Sequence, residues 1–277
     1  MAGRLAGLMY NASMRVAAVV EYDGSDFSGW QRQDAASSVQ ATVEQALSQV
    51  ADAPVVVTTA GRTDAGVHAL AQVIHFDSDA LRSGHAWLRG ANSNLPRSVA
   101  LRWVQEVTPE FHARFSATSR RYRYVILNRA VRPTFLAGRV THAYRLLEVA
   151  PMQAAADLLI GTHDFSSFRA VQCQAKSPVR TVRRLDVVRH GDLIAIEIEA
   201  NAFLHHMVRN IAGVLMDIGA GEKDPTWAHT VLEARDRTVG GITAPPDGLY
   251  LTAVTYPEHF GIPAMPLSPF WSVLQGL

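Results

Sequence analysis

The feature that most constrains the fold is the order in which strand-like and helix-like segments follow one another in the first half of the chain. Hydrophobic alternation predicts a strand over residues 16–22, and a helix capped by Ser37 or Ser38 follows to about residue 50. Strands over 54–59 and 69–76, a helix over 84–93 and a strand over 99–107 complete the series. This order is that of a ferredoxin-like α+β unit, in which helices cover one face of an antiparallel sheet.

The second half repeats this theme less regularly from about Arg114 onward. The predicted elements are strands over 121–127, 179–189, 193–199 and 249–254, and helices over 152–159, 203–218 and 227–234. We therefore predict an α+β protein of two ferredoxin-like α/β halves with antiparallel sheets, joined across a central cleft. The expected divisions are a leader (1–13), an N-terminal half (14–113), a C-terminal half (114–256) and a loosely packed tail (257–277).

The composition argues against a disulfide-stabilised protein, a cysteine-rich metal protein and a membrane-spanning protein. The chain has 277 residues, 48% of them hydrophobic, which is enough to form a core without covalent cross-links. Its only cysteine is Cys173, so neither an intrachain disulfide nor a cysteine-rich metal site can form. No run of 18 apolar residues is present. We expect a cytoplasmic protein that does not associate with membranes.

Charge is distributed very unevenly, although the net charge is only +1. Residues 1–113 hold 8 basic and 11 acidic residues, residues 114–190 hold 14 and 4, and the remainder holds 4 and 10. Eight arginines in the middle segment follow one another without an intervening acid: Arg114, Arg120, Arg121, Arg123, Arg129, Arg132, Arg139 and Arg145. Such a segment favours binding of a polyanion, because guanidinium groups bind phosphate in a bidentate manner. A solvated strand face is the alternative.

Asp64 is the first candidate for chemistry. It follows a predicted strand and lies in a turn between Arg62 and Gly66, where a carboxylate can face a cleft. In the apolar helix predicted over 203–218 the only charged residues are Arg209 and Asp217, so Arg209 is expected against the core with an anion as its partner. If that partner is Asp64, the carboxylate stays ionised. The alternative is that Arg209 reaches solvent or binds backbone carbonyls.

The strand around Tyr122 combines aromatic and basic residues. Tyr122 and Tyr124 alternate with Arg121 and Arg123, so the tyrosines face one side of the sheet and the arginines the other. One face is suited to stacking a base and the other to contacting phosphates, as in sites for single-stranded RNA. Two core tyrosines would give the same pattern.

Several motifs resemble those of the tRNA pseudouridine synthase A family. The main one is the string Gly61-Arg62-Thr63-Asp64-Ala65-Gly66-Val67-His68-Ala69, which is similar to the family's active-site motif. The supporting segments are 21–24, 27–31, 94–96, 111–117, 122–124, 164–169, 203–210 and 248–251. The resemblance extends over about residues 14–257 and implies the pseudouridine synthase fold.

The resemblance also implies an activity and a set of site residues. Asp64 would open the N-glycosidic bond of uridine without metal or cofactor, so that the freed uracil turns and rejoins its ribose through carbon. Tyr122 would pack on the target base, Arg209 would pair with the aspartate, and Arg62 would hold RNA and assist base extrusion. We further predict RNA contacts from Arg114, Arg121, Arg123 and Arg169.

Substrate and assembly follow from the same resemblance. Family members are homodimers whose tRNA crosses both subunits, and the modified uridines lie on the 3′ side of the anticodon loop and in the adjoining stem. The residues do not choose between covalent attack by the aspartate and proton abstraction that forms a glycal.

Two other functions use some of the same residues. A non-catalytic tRNA-binding module or chaperone would need the arginines but not Asp64. A metal-dependent hydrolase built on His68, His205 and His206 is disfavoured, because adjacent histidines in a helix match no H-E-x-x-H pattern. We expect His68 to be a structural hydrogen-bonding residue.

Overall fold

The structure is a computed structural model that describes residues 13–266. Within these residues, ten strands form one continuous sheet in the order β4-β1-β3-β10-β5-β9-β8-β7, with β2 paired to β3 and β6 paired to β5. The predicted leader, apart from Ser13, and the tail beyond residue 266 lie outside the described residues. No helix in the described range is long and apolar enough to cross a membrane.

The first half forms the predicted series of elements, except that the strand expected over residues 54–59 is only two residues long. The strands are β1 (Met14–Tyr22), β2 (Thr58–Thr59), β3 (His68–Ser78) and β4 (Val99–Glu106), and the helices are α1 (Val39–Ala51) and α2 (Gly84–Asn94). Strand β1 pairs antiparallel with both β3 and β4. Ser38 is the cap of α1, where its hydroxyl accepts the backbone N–H of Ala41.

The second half contributes the other side of the sheet. Its strands are β5 (Ser119–Asn128), β6 (Thr141–Ala143), β7 (Gly161–Asp164), β8 (Val179–His190), β9 (Leu193–Ala200) and β10 (Leu249–Thr255). Its helices are α3 (Val149–Asp157), α4 (Met207–Gly219) and α5 (Trp227–Ala234). Strands β5, β9, β8 and β7 form an antiparallel series.

Strand β10 joins the two halves. It comes from the end of the described chain, yet it lies between β3 and β5, parallel to the first and antiparallel to the second. The backbone hydrogen bonds of β10 therefore make the two predicted sheets continuous. The predicted α+β class with a mostly antiparallel sheet is confirmed.

The start of α4 differs from the sequence prediction. A helix was expected from residue 203, but α4 begins at Met207, and the preceding His206 has a φ of 62°. A residue in this left-handed conformation cannot continue a right-handed helix toward the N-terminus. Residues 203–206 are consequently a loop that ends in a turn at His205 and His206, and this turn forms part of the site described below.

Hydrophobic side chains pack on both faces of the sheet. The helices cover one face, which forms the larger core, and a smaller cluster on the other face includes Ala17, Val73 and Phe111. The beginning of the tail packs onto that smaller cluster, with the ring of Phe260 5.3 Å from that of Phe111. Helices therefore cover one face of the sheet, and the described beginning of the tail covers part of the other.

Candidate active site

The loop between β2 and β3 carries Asp64 and is held by backbone hydrogen bonds to the segment after β1. The N–H of Trp30 donates to the carbonyl of Thr63 (3.0 Å), and the N–H of Gly66 donates to the carbonyl of Phe27 (3.3 Å). The hydroxyl groups of Tyr22 and Thr63 are 2.8 Å apart in the core. These contacts hold the loop residues on both sides of Asp64 in place.

Gly29 allows this close approach of the two segments. Its φ is +96°, and a Cβ at this position would lie 2.8 Å from the carbonyl oxygen of Thr63 and 3.1 Å from the backbone N of Ala65. Only glycine combines this backbone conformation with such a short distance to a neighbouring chain. The glycine in the Phe27–Gln31 motif thus sets the position of the Asp64 loop.

The Asp64 carboxylate is surrounded by three basic side chains from the turn before α4 and its first turn. Nη1 of Arg209 donates to Oδ2 of Asp64 at 3.1 Å, and Nε of Arg209 donates to the carbonyl of Ala244 at 2.8 Å. Nε2 of His205 lies 3.2 Å from Oδ1, and Nε2 of His206 lies 3.3 Å from Oδ2. The predicted pairing of Asp64 with Arg209 is therefore present, and two histidines accompany it.

Burial differs among these groups. The Arg209 side chain is 14% exposed and that of Asp64 24%, whereas His205 on the cleft side is 38% exposed. Burial lowers the pKa of His206, against the opposing effect of the Asp64 charge. The most buried of the three basic side chains, Arg209, is therefore the one that bonds directly to the Asp64 carboxylate.

Tyr122 lies in the wall of the same cleft. It sits on β5 with its ring edge-on to Phe203 at a centroid distance of 5.0 Å, and it is 8% exposed. Burial raises the pKa of Tyr122, so the phenol keeps its proton at neutral pH. Tyr122 therefore places an aromatic ring and a protonated hydroxyl in the wall of the cleft that Asp64 also lines.

The cleft has a volume of about 880 Å³ and runs between the two predicted halves. Arg62, Asp64, Arg114, Tyr122 and Arg209 all line it. Arg62 and Arg114 are exposed. The structure thus brings together the four main predicted site residues and one of the four additional arginines.

The other three predicted RNA-binding arginines lie elsewhere. Arg121 and Arg123 face the opposite side of the sheet, where they pair with Glu199 and Glu197 of β9. Arg123 is 1% exposed. Arg169 donates to the carbonyl of Cys173 at 2.5 Å and does not line the cleft. RNA contacts from these three residues stay a prediction that their placement does not support.

The sequence analysis considered His205 and His206 only as ligands of a disfavoured metal-dependent hydrolase and did not predict that they lie beside Asp64. His205 and His206 were assigned to a helix, in which neighbouring side chains diverge. The φ of 62° at His206 instead turns both rings toward Asp64, and their centroids lie 4.0 Å apart. The available signal was the polar His-His pair directly before a strongly apolar helix.

His68 has the structural environment that the sequence predicted. Its Nδ1 accepts the N–H of Gly24 at 3.0 Å, and its Nε2 lies 3.1 Å from the carbonyl of Asp247. Its ring stacks on Tyr250 with a centroid distance of 4.5 Å. These contacts connect β3 to both halves and leave His68 outside the cleft lining.

Comparison with known proteins agrees with this geometry. A family model described as tRNA pseudouridine synthase matches residues 18–116 and 155–257. A tRNA pseudouridine synthase A of Nitrosococcus oceani is 61% identical over 252 residues, covering 91% of this chain and 97% of the relative. One of Coxiella burnetii is 55% identical, covering 93% and 98%, and one of Vibrio cholerae is 54% identical with the same coverage. The chain belongs to the tRNA pseudouridine synthase A family.

Proposed function

We propose that this protein is an isomerase that converts uridine to pseudouridine in transfer RNA. In this reaction the N1–C1′ bond of uridine breaks and a C5–C1′ bond forms, while N1 gains a proton and C5 loses one. The observation that carries the proposal is Asp64, held at 3.1 Å by Arg209 in a cleft that also presents Tyr122. The matched family and its relatives supply the substrate class.

Asp64 is the group that we assign to bond cleavage. Its two oxygens lie toward nitrogen atoms of Arg209, His205 and His206, which hold the carboxylate in place as the group that acts as nucleophile or base. Attack on the sugar or base and removal of a ribose proton both begin from this carboxylate. No metal ion or cofactor is needed in either route, since the carboxylate itself supplies the reactive oxygen.

Tyr122 and Arg62 are assigned to the base and to the RNA. The buried phenol of Tyr122 can pack on the target uracil and assist loss of the C5 proton. Arg62 lies exposed in the cleft lining two residues from Asp64, where its guanidinium can contact phosphate as the base leaves the stack. Extruding the base costs a few kcal/mol, which such contacts offset.

The substrate region and assembly are further parts of the proposal. We assign the target uridines to the anticodon stem-loop and propose a cytoplasmic homodimer whose tRNA crosses both subunits, as the resemblance implies. Residues 14–113 would act as the half that carries Asp64, and 114–256 as the half that carries Tyr122 and Arg209. Light scattering of the purified protein with and without tRNA tests the dimer.

The decisive experiment removes the charge of Asp64. With tRNA transcript labelled with tritium at uridine C5, wild-type protein should release tritium in the presence of a chelator, and mapping should place pseudouridine in the anticodon arm. Asp64→Asn should abolish release while tRNA affinity stays within a few-fold. Full isomerisation by this variant would refute the proposal, and tRNA binding without release by wild-type protein would favour the chaperone alternative.

A further inference from the structure

We propose that Asp64, His205 and His206 form a binding site for one zinc-class transition-metal ion, and that metal in this site inhibits the isomerase. One ligand atom from each residue can be chosen so that all three lie within 4.8 Å of one another. Nε2 of His205 is 3.2 Å from Oδ1 of Asp64, and Nε2 of His206 is 3.3 Å from Oδ2. The three side chains converge from two separate segments of the chain.

These distances suit a tetrahedral ion. Zinc binds imidazole nitrogen and carboxylate oxygen at about 2.0–2.2 Å, so two ligand atoms on one tetrahedron are roughly 3.3 Å apart. The distance from Nε2 of His205 to Oδ1 agrees with that spacing. The 3.3 Å of His206 is measured to the other oxygen, Oδ2, so His206 is included because the three ligand atoms lie within 4.8 Å of one another. Two histidines and one carboxylate also form a common zinc donor set that leaves a fourth position for water.

The backbone holds the two imidazoles in this arrangement before any ion binds. The carbonyl of His205 accepts the N–H of Ala170 at 3.0 Å, and its N–H lies 3.4 Å from Sγ of Cys173. His206 is fixed by its positive φ at the start of α4. Adjacent residues normally point apart, so the convergence of both rings on one carboxylate is a specific property of this turn.

Arg209 limits the strength of the site. Its guanidinium contacts Oδ2 of Asp64 and repels a cation, whereas Oδ1 lies beside His205. We therefore expect metal to bind through Oδ1, more weakly than in a structural zinc site and reversibly with a chelator. Copper and nickel ions share the preference for imidazole and should compete.

A metal ion bound in this site should inhibit isomerisation, and this part of the inference rests on the proposed function. A metal on Oδ1 uses the carboxylate that would act on the ribose and places a charged, hydrated ion in the cleft. Zinc should then lower the isomerisation rate in proportion to the occupied fraction of the site.

The first test measures binding to the full chain without RNA. Zn²⁺ titrated against a chromophoric chelator should give one ion per chain, and Co²⁺ should produce the intense visible absorption of a tetrahedral site. His205→Ala and His206→Ala should each weaken Zn²⁺ binding at least about tenfold. His229→Ala is the matched control, because His229 is an exposed histidine on α5 and should bind metal like wild type. Unchanged affinity in both site variants would overturn the site.

The second test measures tritium release with ZnCl₂, each variant being compared with its own zinc-free rate. Wild type and His229→Ala should be inhibited along the binding curve and restored by EDTA, while the two site variants should require more zinc. An unchanged or increased rate at full occupancy would overturn the inhibitory role. Absence of release from zinc-free wild type would instead refute the proposed function, and the binding test would still decide the metal site.

Discussion

Replacing Arg209 by methionine tests the electrostatic core of the proposed mechanism. The substitution keeps an unbranched, shorter side chain within α4 but removes the donor that lies 3.1 Å from Asp64. It also leaves the carbonyl of Ala244 without the Nε donor at 2.8 Å. Because the Arg209 side chain is only 14% exposed, water can replace the lost contacts only in part.

The size of the effect follows from the kind of bond removed. Hydrogen bonds to charged groups contribute about 1.5–3 kcal/mol, so a contact used fully in the transition state is worth about a 10- to 150-fold change in rate. The fall should be in the single-turnover rate and not in tRNA affinity, because the Arg209 side chain is mostly buried and its donors contact Asp64 and the carbonyl of Ala244. Arg209→Lys should recover part of the rate, since it restores the charge but not the two-point geometry.

The assay is single-turnover tritium release with saturating enzyme, together with tRNA binding and thermal unfolding for each variant. Arg237→Met is the matched control, because Arg237 is another partly buried arginine in the C-terminal half that bonds to Asn210 and Thr243 instead of Asp64. It should keep the wild-type rate. A rate for Arg209→Met within threefold of wild type, or an equal loss in both variants, would refute the reasoning.

Two further predictions concern stability. Gly29→Ala should destabilise the fold and slow isomerisation, because the added Cβ would lie too close to the carbonyl oxygen of Thr63. Gly191→Ala should lower the free energy of unfolding by only about 1 kcal/mol, which is the cost of its positive φ, because no atom lies within 4 Å of the added carbon. Urea unfolding of both variants measures the difference, and equal losses would contradict the prediction. Burial, with a smaller effect of Arg15, lowers the pKa of His75 to about 4. As the pH falls, His75 therefore becomes protonated in the unfolded chain before it does in the folded protein. The free energy of unfolding should fall by at most about 3 kcal/mol between about pH 6.5 and pH 4. Urea titrations at several pH values should show a smaller fall for His75→Gln.

Local sequence patterns were sufficient to predict individual helices and strands, but not which strands pair. The cap at Ser38 and the strand β1 follow from local sequence, and the structure contains both, although residues 16–20 of β1 are buried on both faces of the sheet and do not alternate between core and solvent. The place of β10 could not be predicted, because its partners β3 and β5 are far away in the chain and its own seven residues specify no neighbour. The sequence of β10 predicts an ordinary strand, and only the tertiary structure shows that this strand joins the two halves into one sheet.

The pairing of Asp64 with Arg209 was predictable for a different reason. A charge on a helix that is otherwise apolar needs an anion, and this requirement holds over any chain separation, here 145 residues. The two histidines carried no such requirement, since neutral imidazoles are tolerated in many places. Their position depends on the backbone angle of His206, which no residue pattern specified.

The arginine-rich segment shows where charge counting along a sequence fails. Eight arginines without an intervening acid suggested a phosphate-binding surface, yet Arg121 and Arg123 are neutralised by Glu199 and Glu197, which lie 74 to 78 residues away on the adjacent strand. Among the described residues, Arg62 and Arg114 form no ion pair with an acid, and both line the cleft. Because phosphate contact requires an accessible guanidinium, substitution of Arg62 or Arg114 should weaken tRNA binding and its salt dependence more than substitution of Arg123.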